Sequence, residues 1–213
     1  MLRPVTSKGR SEKELSALTS RTLAHYDSNA ASFAEATALH DVSQNYAALL
    51  RAIEGPPPFR ILDIGCGPGR DLAWFKSQGH EAVGLDGSLA FVEMARKTGC
   101  QVLHQNFLSL DLPRAHFHGI FANASLFHVP VQELPRVLRQ LHDALIPRGV
   151  LFCSNPRGMD TEEQNGERFG AFHTLEGWRV FTEGAGFTEV EHYYRPEGKP
   201  RDQQPWLATV WRA

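Results

Sequence analysis

The stretch ILDIGCGPGRD, residues 61–71, restricts what this chain can fold into more than any other. An apolar run meets three glycines at alternate positions, Gly65, Gly67 and Gly69, and residues 70–77, RDLAWFKS, then read as a helix. Strand, glycine turn and helix in that order open an α/β nucleotide-binding domain. The same glycines would serve a bare tight turn, but an acidic residue closing the next strand, Asp86, favours a ligand there.

The rest of the chain supports this frame. Strands and helices alternate: FRILDI, a helix from Arg70, EAVGLD, a helix over 88–97 starting at Ser88, CQVLHQ, HGIFAN, a helix over 131–145, and VLFCSN. In the helix over 131–145, Val131, Leu134, Val137, Leu138, Leu141 and Leu145 keep the spacing of one buried face. An irregular stretch over 155–173, a helix from about Thr174 and two closing strands, TEVEHYY and WLATVWR, complete the series. Such alternation predicts a mostly parallel sheet with helices on both faces. Upstream, residues 1–20 read as a flexible tail and 21–55 as a helical cap. In the cap, Asp41 and Gln44 resemble a capping box ahead of the stripe Val42, Tyr46, Leu49, Leu50 and Ile53. EGPPPF ends that helix, and the domain over 56–213 forms one structural unit with the cap.

The glycine loop narrows the ligand. A dinucleotide fingerprint needs its third glycine where Arg70 stands, and no Gly-Lys-Ser/Thr follows to cradle phosphate and magnesium. Asp63 near the strand end favours a cationic group such as an ammonium, and Asp86 is placed to accept hydrogen bonds from a ribose diol. A nucleoside with an amino-acid tail meets both demands.

Four segments, LDIGCGPGR (62–70), VGLDGS (83–88), QNFLSLDL (105–112) and FANASLFHVP (121–130), resemble in order and spacing the class I S-adenosylmethionine-dependent methyltransferases, with LHDALIPRGVLF (141–152) continuing the likeness. The resemblance covers residues 20 to 213. It implies a Rossmann-like seven-stranded sheet of order 3-2-1-4-5-7-6, strand seven antiparallel, an N-terminal helical cap, and S-adenosylmethionine as cofactor with S-adenosylhomocysteine as product and no metal. By the same resemblance Asp63, Gly65, Cys66 and Gly67 surround the methionine part, Asp86 and Gly87 the ribose, and Asn106 and Phe107 the adenine. Many relatives carry Asp at the position of Asn106, so adenine would here meet an amide oxygen. Asn123 falls where the family's backbone meets the methionyl moiety, and Tyr26 in the segment that closes over the cofactor, where its ring can face the sulfonium. His128 lies over the expected methyl as the candidate catalytic residue, to orient the acceptor or take its proton; packing at a helix start is the plainer alternative.

Composition bounds the partners. With Lys+Arg 22 against Asp+Glu 24 the formal charge is −2, which gives no general attraction to nucleic acid or anionic lipid. Cys66, Cys100 and Cys153 are far apart beside apolar segments, as buried thiols in a reducing compartment are. No run is long enough to span a bilayer, and the expected location is cytoplasmic. The motif of base-amine methylating relatives is absent after the fourth strand, where NASLFH stands, so the expected acceptor is a small molecule methylated on O, N or S. Arg157, Arg168, Arg195, Lys199 and Arg201 lie in two segments expected to cover the substrate. Convergence of two of them would select an anionic acceptor; pairing with Glu162, Glu163, Glu167, Glu197 and Asp202 would make them ordinary surface charges. His173, Tyr193 and Tyr194 are secondary candidates for substrate contact. The competing functions are a cofactor-binding regulatory module without transfer chemistry and an NAD-dependent oxidoreductase. Oligomeric state is open.

Overall fold

The apolar run before the glycine turn forms β1 (Arg60–Ile64), and in the computed structural model, which describes residues 9–213, it lies inside a seven-stranded sheet. The other strands are β2 (Glu81–Asp86), β3 (Gln101–His104), β4 (Phe117–Asn123), β5 (Leu145–Pro156), β8 (Thr188–Arg195) and β9 (Trp206–Arg212). Their order is β3-β2-β1-β4-β5-β9-β8. The first five pair in parallel, and β9 runs antiparallel to both β5 and β8. With a separate two-stranded hairpin left out of the count, this is the expected 3-2-1-4-5-7-6 order with the seventh strand reversed.

Period-two alternation along β1 decides which residue meets which layer. Leu62 and Ile64 join Ile120, Leu151, Trp178 and Trp211 under α6 (Leu134–Ala144) and α7 (Leu175–Gly184). Ile61 faces the opposite layer with Phe121, Phe152 and Val210, beneath α3 (Ser43–Ala52), α4 (Arg70–Ser77) and α5 (Leu89–Arg96). Asp63 follows Ile61 onto that second face and is buried there.

Four local expectations change. Residues 12–20 belong to α1 (Glu12–Ser28), not to a tail, because Ser11 and Glu14 form a reciprocal capping box that satisfies two orphan donors at its start; residues 1–8 of the expected tail lie outside the described residues. Asp41 and Gln44 do not form a box: the Asp41 carboxylate accepts from Ser43 N at 2.9 Å, two residues on, and Val42 is the N-cap. The helix expected over 131–145 begins at Leu134, and Val131 instead packs against Phe169 and Ala171. Those two residues belong to a hairpin, β6 (Thr161–Asn165) and β7 (Arg168–Phe172), inside the stretch expected to be irregular. Its turn uses Gly166 at φ +60°, a conformation glycine adopts without strain.

The hairpin holds the N-terminal cap. Glu162 accepts from Val131 N at 2.8 Å and pairs with Arg10 at 2.7 Å, while Phe169 N donates to Thr22 Oγ1 at 3.0 Å. On the other side of α1, Asp27 accepts from Ser88 Oγ at 2.6 Å and Ala90 N at 3.0 Å, at the start of α5. Together with α2 (Ala30–Thr37), α1 therefore spans the carboxyl ends of the parallel strands, where open α/β sheets bind ligands.

Candidate active site

Between this cap and the strand ends lies a cavity of about 490 Å³. Its walls come from the glycine turn (Gly65 to Pro68), the end of β2 (Leu85 to Gly87), the loop after β3 (Gln105 to Phe107) and the end of β4 (Asn123 to Ser125). Tyr26, Phe33 and Phe91 form an aromatic wall with ring centroids 5.3 to 5.6 Å apart.

The turn is built from main-chain bonds. Gly65 N and Cys66 N donate to Leu85 O at 2.7 and 3.1 Å, tying the end of β1 to β2. Gly67 N donates to one Asp86 carboxylate oxygen at 2.9 Å and Ser88 N to the other at 2.8 Å. Gly65 sits at φ +71°, and a Cβ there would overlap the Ser125 side chain. Gly67 at φ +53° has only open space where its Cβ would stand, which leaves bare main chain facing the cavity.

Three carboxylates surround this turn: Asp63, Asp71 and Asp86 are each less than a tenth exposed. Burial first, then the charges of Asp71 and Asp86, pushes the Asp63 carboxyl well above the usual carboxylate range. Its Oδ2 has no hydrogen-bond partner. Burial also raises Asp86, against the opposing pull of its backbone donors. Asp71 accepts from Tyr46 OH at 2.5 Å, from the Arg70 guanidinium at 2.7 and 3.1 Å, and from Asn123 Nδ2 at 3.3 Å. Asn45 extends this network, donating to Asn123 at 3.0 Å and accepting from Tyr193 OH at 3.0 Å.

On the cavity wall, Tyr26 OH and His128 Nε2 are 2.8 Å apart, and His128 Nδ1 is 2.6 Å from Phe169 O. A carbonyl can only accept, so Nδ1 carries the imidazole proton and Nε2 accepts from Tyr26. Burial lowers the His128 pKa to about 4, against the pull of the Phe169 carbonyl, and keeps the ring neutral near pH 7. Burial raises Tyr26, and the nearby Arg168 guanidinium opposes that rise.

The structure therefore brings Tyr26, Gly65, Cys66, Gly67, Asp86, Gly87, Asn106, Phe107, Asn123, His128 and Arg195 to one cavity wall. Asp63 lies behind the glycine turn. The Asn106 amide oxygen accepts from Leu108 N at 2.8 Å, closing its own loop, so the oxygen expected to face adenine already has one donor. Arg195 reaches the mouth, where it donates to Asp41 O at 2.6 Å.

Other candidates fall outside the lining. Arg157 donates to Arg201 O at 2.7 Å, on the loop before β9. Tyr193 is held by Asn45, and His173 is buried against Trp178 and Phe181 with Asp160 at 3.4 Å. Arg168 flanks the Tyr26–His128 pair without lining the cavity. Among the described residues none of Arg157, Arg168, Arg195, Lys199 and Arg201 forms an ion pair; Glu162 and Glu167 pair with Arg10 and Arg21 instead. Sequence reading missed Asn45, Tyr46, Asp71, Phe33, Phe91 and Ser125. Only Asp71 left a signal, a charge beside apolar helix positions.

Comparison with known proteins agrees with this geometry. A family described as a methyltransferase domain matches residues 61–149, which span β1 to the start of β5. The trans-aconitate 2-methyltransferase of Yersinia pestis (strain Pestoides F) is 30% identical over 157 residues, covering 68% of this chain and 58% of that protein. An uncharacterized protein of Haemophilus influenzae is 27% identical over 151 residues, 66% of this chain and 55% of its own length. The chain thus spans somewhat over half the length of these curated relatives. Among solved structures, the Burkholderia thailandensis 1,6-didemethyltoxoflavin-N1-methyltransferase, with 1,6-didemethyltoxoflavin and S-adenosylhomocysteine bound, superposes with a TM-score of 0.76 at 24% identity, covering 98% of this chain and 93% of that one. A Leishmania major S-adenosylmethionine-dependent methyltransferase gives 0.77 at 16% identity over 91% and 82% of the two chains; both likenesses speak for the fold. With its glycine turn, acidic strand end and strand order, the chain has the fold of the class I S-adenosylmethionine-dependent methyltransferases, and residues 61–149 match a methyltransferase domain.

Proposed function

We propose that this protein transfers the methyl group of S-adenosylmethionine to a small-molecule acceptor bound in the same cavity. The observation that carries this reading is the set of three buried carboxylates around an open glycine turn. A pyrophosphate would meet like charge there, which disfavours NAD. A ligand with an ammonium and a sulfonium meets opposite charge from Asp86 and Asp71 on the cavity wall, with Asp63 and its orphaned Oδ2 behind the turn.

Sheet order supports a division of the cavity. β2 lies on one side of β1, so Asp86, Gly87, Asn106 and Phe107 would hold the nucleoside half. β4, β5, β9 and β8 lie on the other, where Ser154, Arg195 and Trp206 line a space for the acceptor. Tyr26 and His128 stand between. The cofactor supplies an already activated methyl, so the protein's work is orientation and exclusion of water, which can be worth about 7–11 kcal/mol at best. Asp63, Gly65, Cys66, Gly67 and Asn123 would hold the methionine part.

Arg195, which forms no ion pair among the described residues and reaches the mouth, supports an acceptor bearing an anionic group, in line with the trans-aconitate named for the Yersinia relative. Arg157, His173 and Tyr193 are better explained as supports of the surrounding wall than as substrate contacts. The reading is tested by titration calorimetry with S-adenosylmethionine and NAD, followed by transfer of labelled methyl to a metabolite panel. Binding of the first and turnover are expected; binding of NAD alone would refute it, and cofactor binding without turnover of any acceptor would favour a regulatory module.

A further inference from the structure

The hydrogen on the Tyr26 hydroxyl is committed. With Phe169 O fixing the proton on His128 Nδ1 at 2.6 Å, Nε2 is an acceptor only, and the hydroxyl 2.8 Å away must donate to it. The phenol oxygen therefore has only lone pairs left to offer, shared between the Arg168 guanidinium that flanks the pair and the cavity that Tyr26 lines. Lone pairs on the cavity side accept an N–H or O–H and offer nothing to a carboxylate oxygen.

We propose, resting on the methyl-transfer reading above, that Tyr26 is the residue that touches the nucleophilic atom of the acceptor, and that this atom carries a hydrogen. His128 is the positioning residue that orients Tyr26 and relays its proton. As the acceptor N or O forms its bond to the methyl carbon, the carbon–sulfur bond breaks and its electron pair stays on sulfur. The acceptor's proton passes to the Tyr26 oxygen while the Tyr26 proton moves to His128 Nε2, and the imidazolium, still bonded to Phe169 O, later returns its proton to water. Burial makes His128 a weak base, so it takes a proton only from an atom made strongly acidic by methylation, as a hydroxyl oxygen or an aromatic ring nitrogen becomes. A simple aliphatic amine would not need this relay, and a carboxylate would have no proton to give.

The anionic group that Arg195 is placed to meet then lies elsewhere on the acceptor, towards the mouth. The hairpin has a share in this arrangement. Phe169 on β7 sets the tautomer, and Thr22 on α1 accepts from the same residue's N–H at 3.0 Å, so hairpin, cap and site are registered through one position.

Two measurements test the proposal separately from the cofactor reading. Imidazole nitrogen NMR of the ligand-free protein should show His128 as the neutral Nδ1–H tautomer at pH 7, with the Nε2 resonance shifted by Tyr26→Phe. An Nε2–H tautomer, or no response to that substitution, overturns the proposal. In transfer assays with S-adenosylmethionine and a panel of phenols, aromatic ring N–H compounds and polycarboxylates, turnover should fall on the first two classes. Tyr26→Phe and His128→Gln should each lower kcat by about 100-fold, the scale of a positioned proton acceptor, with cofactor affinity changed less than about threefold. His128→Gln keeps an acceptor for the Tyr26 hydroxyl, so a merely structural role would be rescued by it, and the acid limb of the kcat profile should vanish in that variant. Turnover confined to carboxylates, or full kcat in Tyr26→Phe, sinks the proposal and leaves the methyl-transfer reading standing; failure to bind S-adenosylmethionine sinks that reading itself.

Discussion

Replacing Asp86 by Asn separates two jobs held by one carboxylate. Its oxygens accept from Gly67 N at 2.9 Å and Ser88 N at 2.8 Å, and the residue is 8% exposed. Asn keeps the shape but offers one acceptor oxygen, so one of the two buried N–H groups faces an NH2 and loses its partner. An orphaned buried donor costs about 1–3 kcal/mol, a small part of the roughly 5–15 kcal/mol by which domains are stable. The variant should therefore fold, with a lower urea midpoint. Cofactor affinity should fall further, because a ribose hydroxyl loses a charge-assisted bond of about 1.5–3 kcal/mol, which at 1.4 kcal/mol per decade is about 10- to 150-fold in Kd. Calorimetry with S-adenosylmethionine and urea titration of the same preparations measure both. An unchanged Kd with a lowered midpoint would confine Asp86 to holding the turn and refute its place on the ribose.

Three further substitutions follow from the same geometry. Gly67→Ala should cost only about 1–2 kcal/mol for its left-handed backbone, since nothing blocks the new methyl, yet weaken cofactor binding at least tenfold, as calorimetry would show. Asp63 has a folded pKa raised above its unfolded value, so its contribution is most favourable at acid pH and is lost as pH rises through the folded value; Asp63→Asn should raise the thermal midpoint of the ligand-free protein at pH 8 relative to wild type while lowering cofactor affinity. A midpoint equal to wild type across pH 5–8 would show that Asp63 is not strained by burial. Arg195→Ala should raise KM for anionic acceptors by about tenfold and leave neutral ones unchanged, with the Kd for S-adenosylmethionine unaffected.

Much of this was legible in the sequence because it is local. The glycine turn, Asp86 and the strand alternation depend on neighbours a few residues away, and the sheet order followed from a family resemblance carried by four segments. The β6 strand, TEEQN, was not legible, since Glu, Gln and Asn disfavour strands, although the Asn165-Gly166 pair signals a hairpin turn. Ser11 and Glu14 are a readable capping box that the basic, serine-containing start of the chain masked. Contacts between distant residues left no trace: Tyr26 meets His128 across 102 positions, and Asn45 meets Tyr193 across 148. The arginines show the same limit, because sequence gives their number but not that Glu162 and Glu167 are taken by Arg10 and Arg21.

The central claim is that the three buried carboxylates around the glycine turn select a cationic nucleoside ligand. Titration of the protein with S-adenosylmethionine at pH 7.5, in competition with S-adenosylhomocysteine and with NAD, tests it most directly. One saturable site per chain, competed by S-adenosylhomocysteine and indifferent to NAD, is the predicted result. Binding of NAD in preference, or S-adenosylmethionine affinity unaltered by Asp86→Asn and Gly67→Ala together, would contradict it.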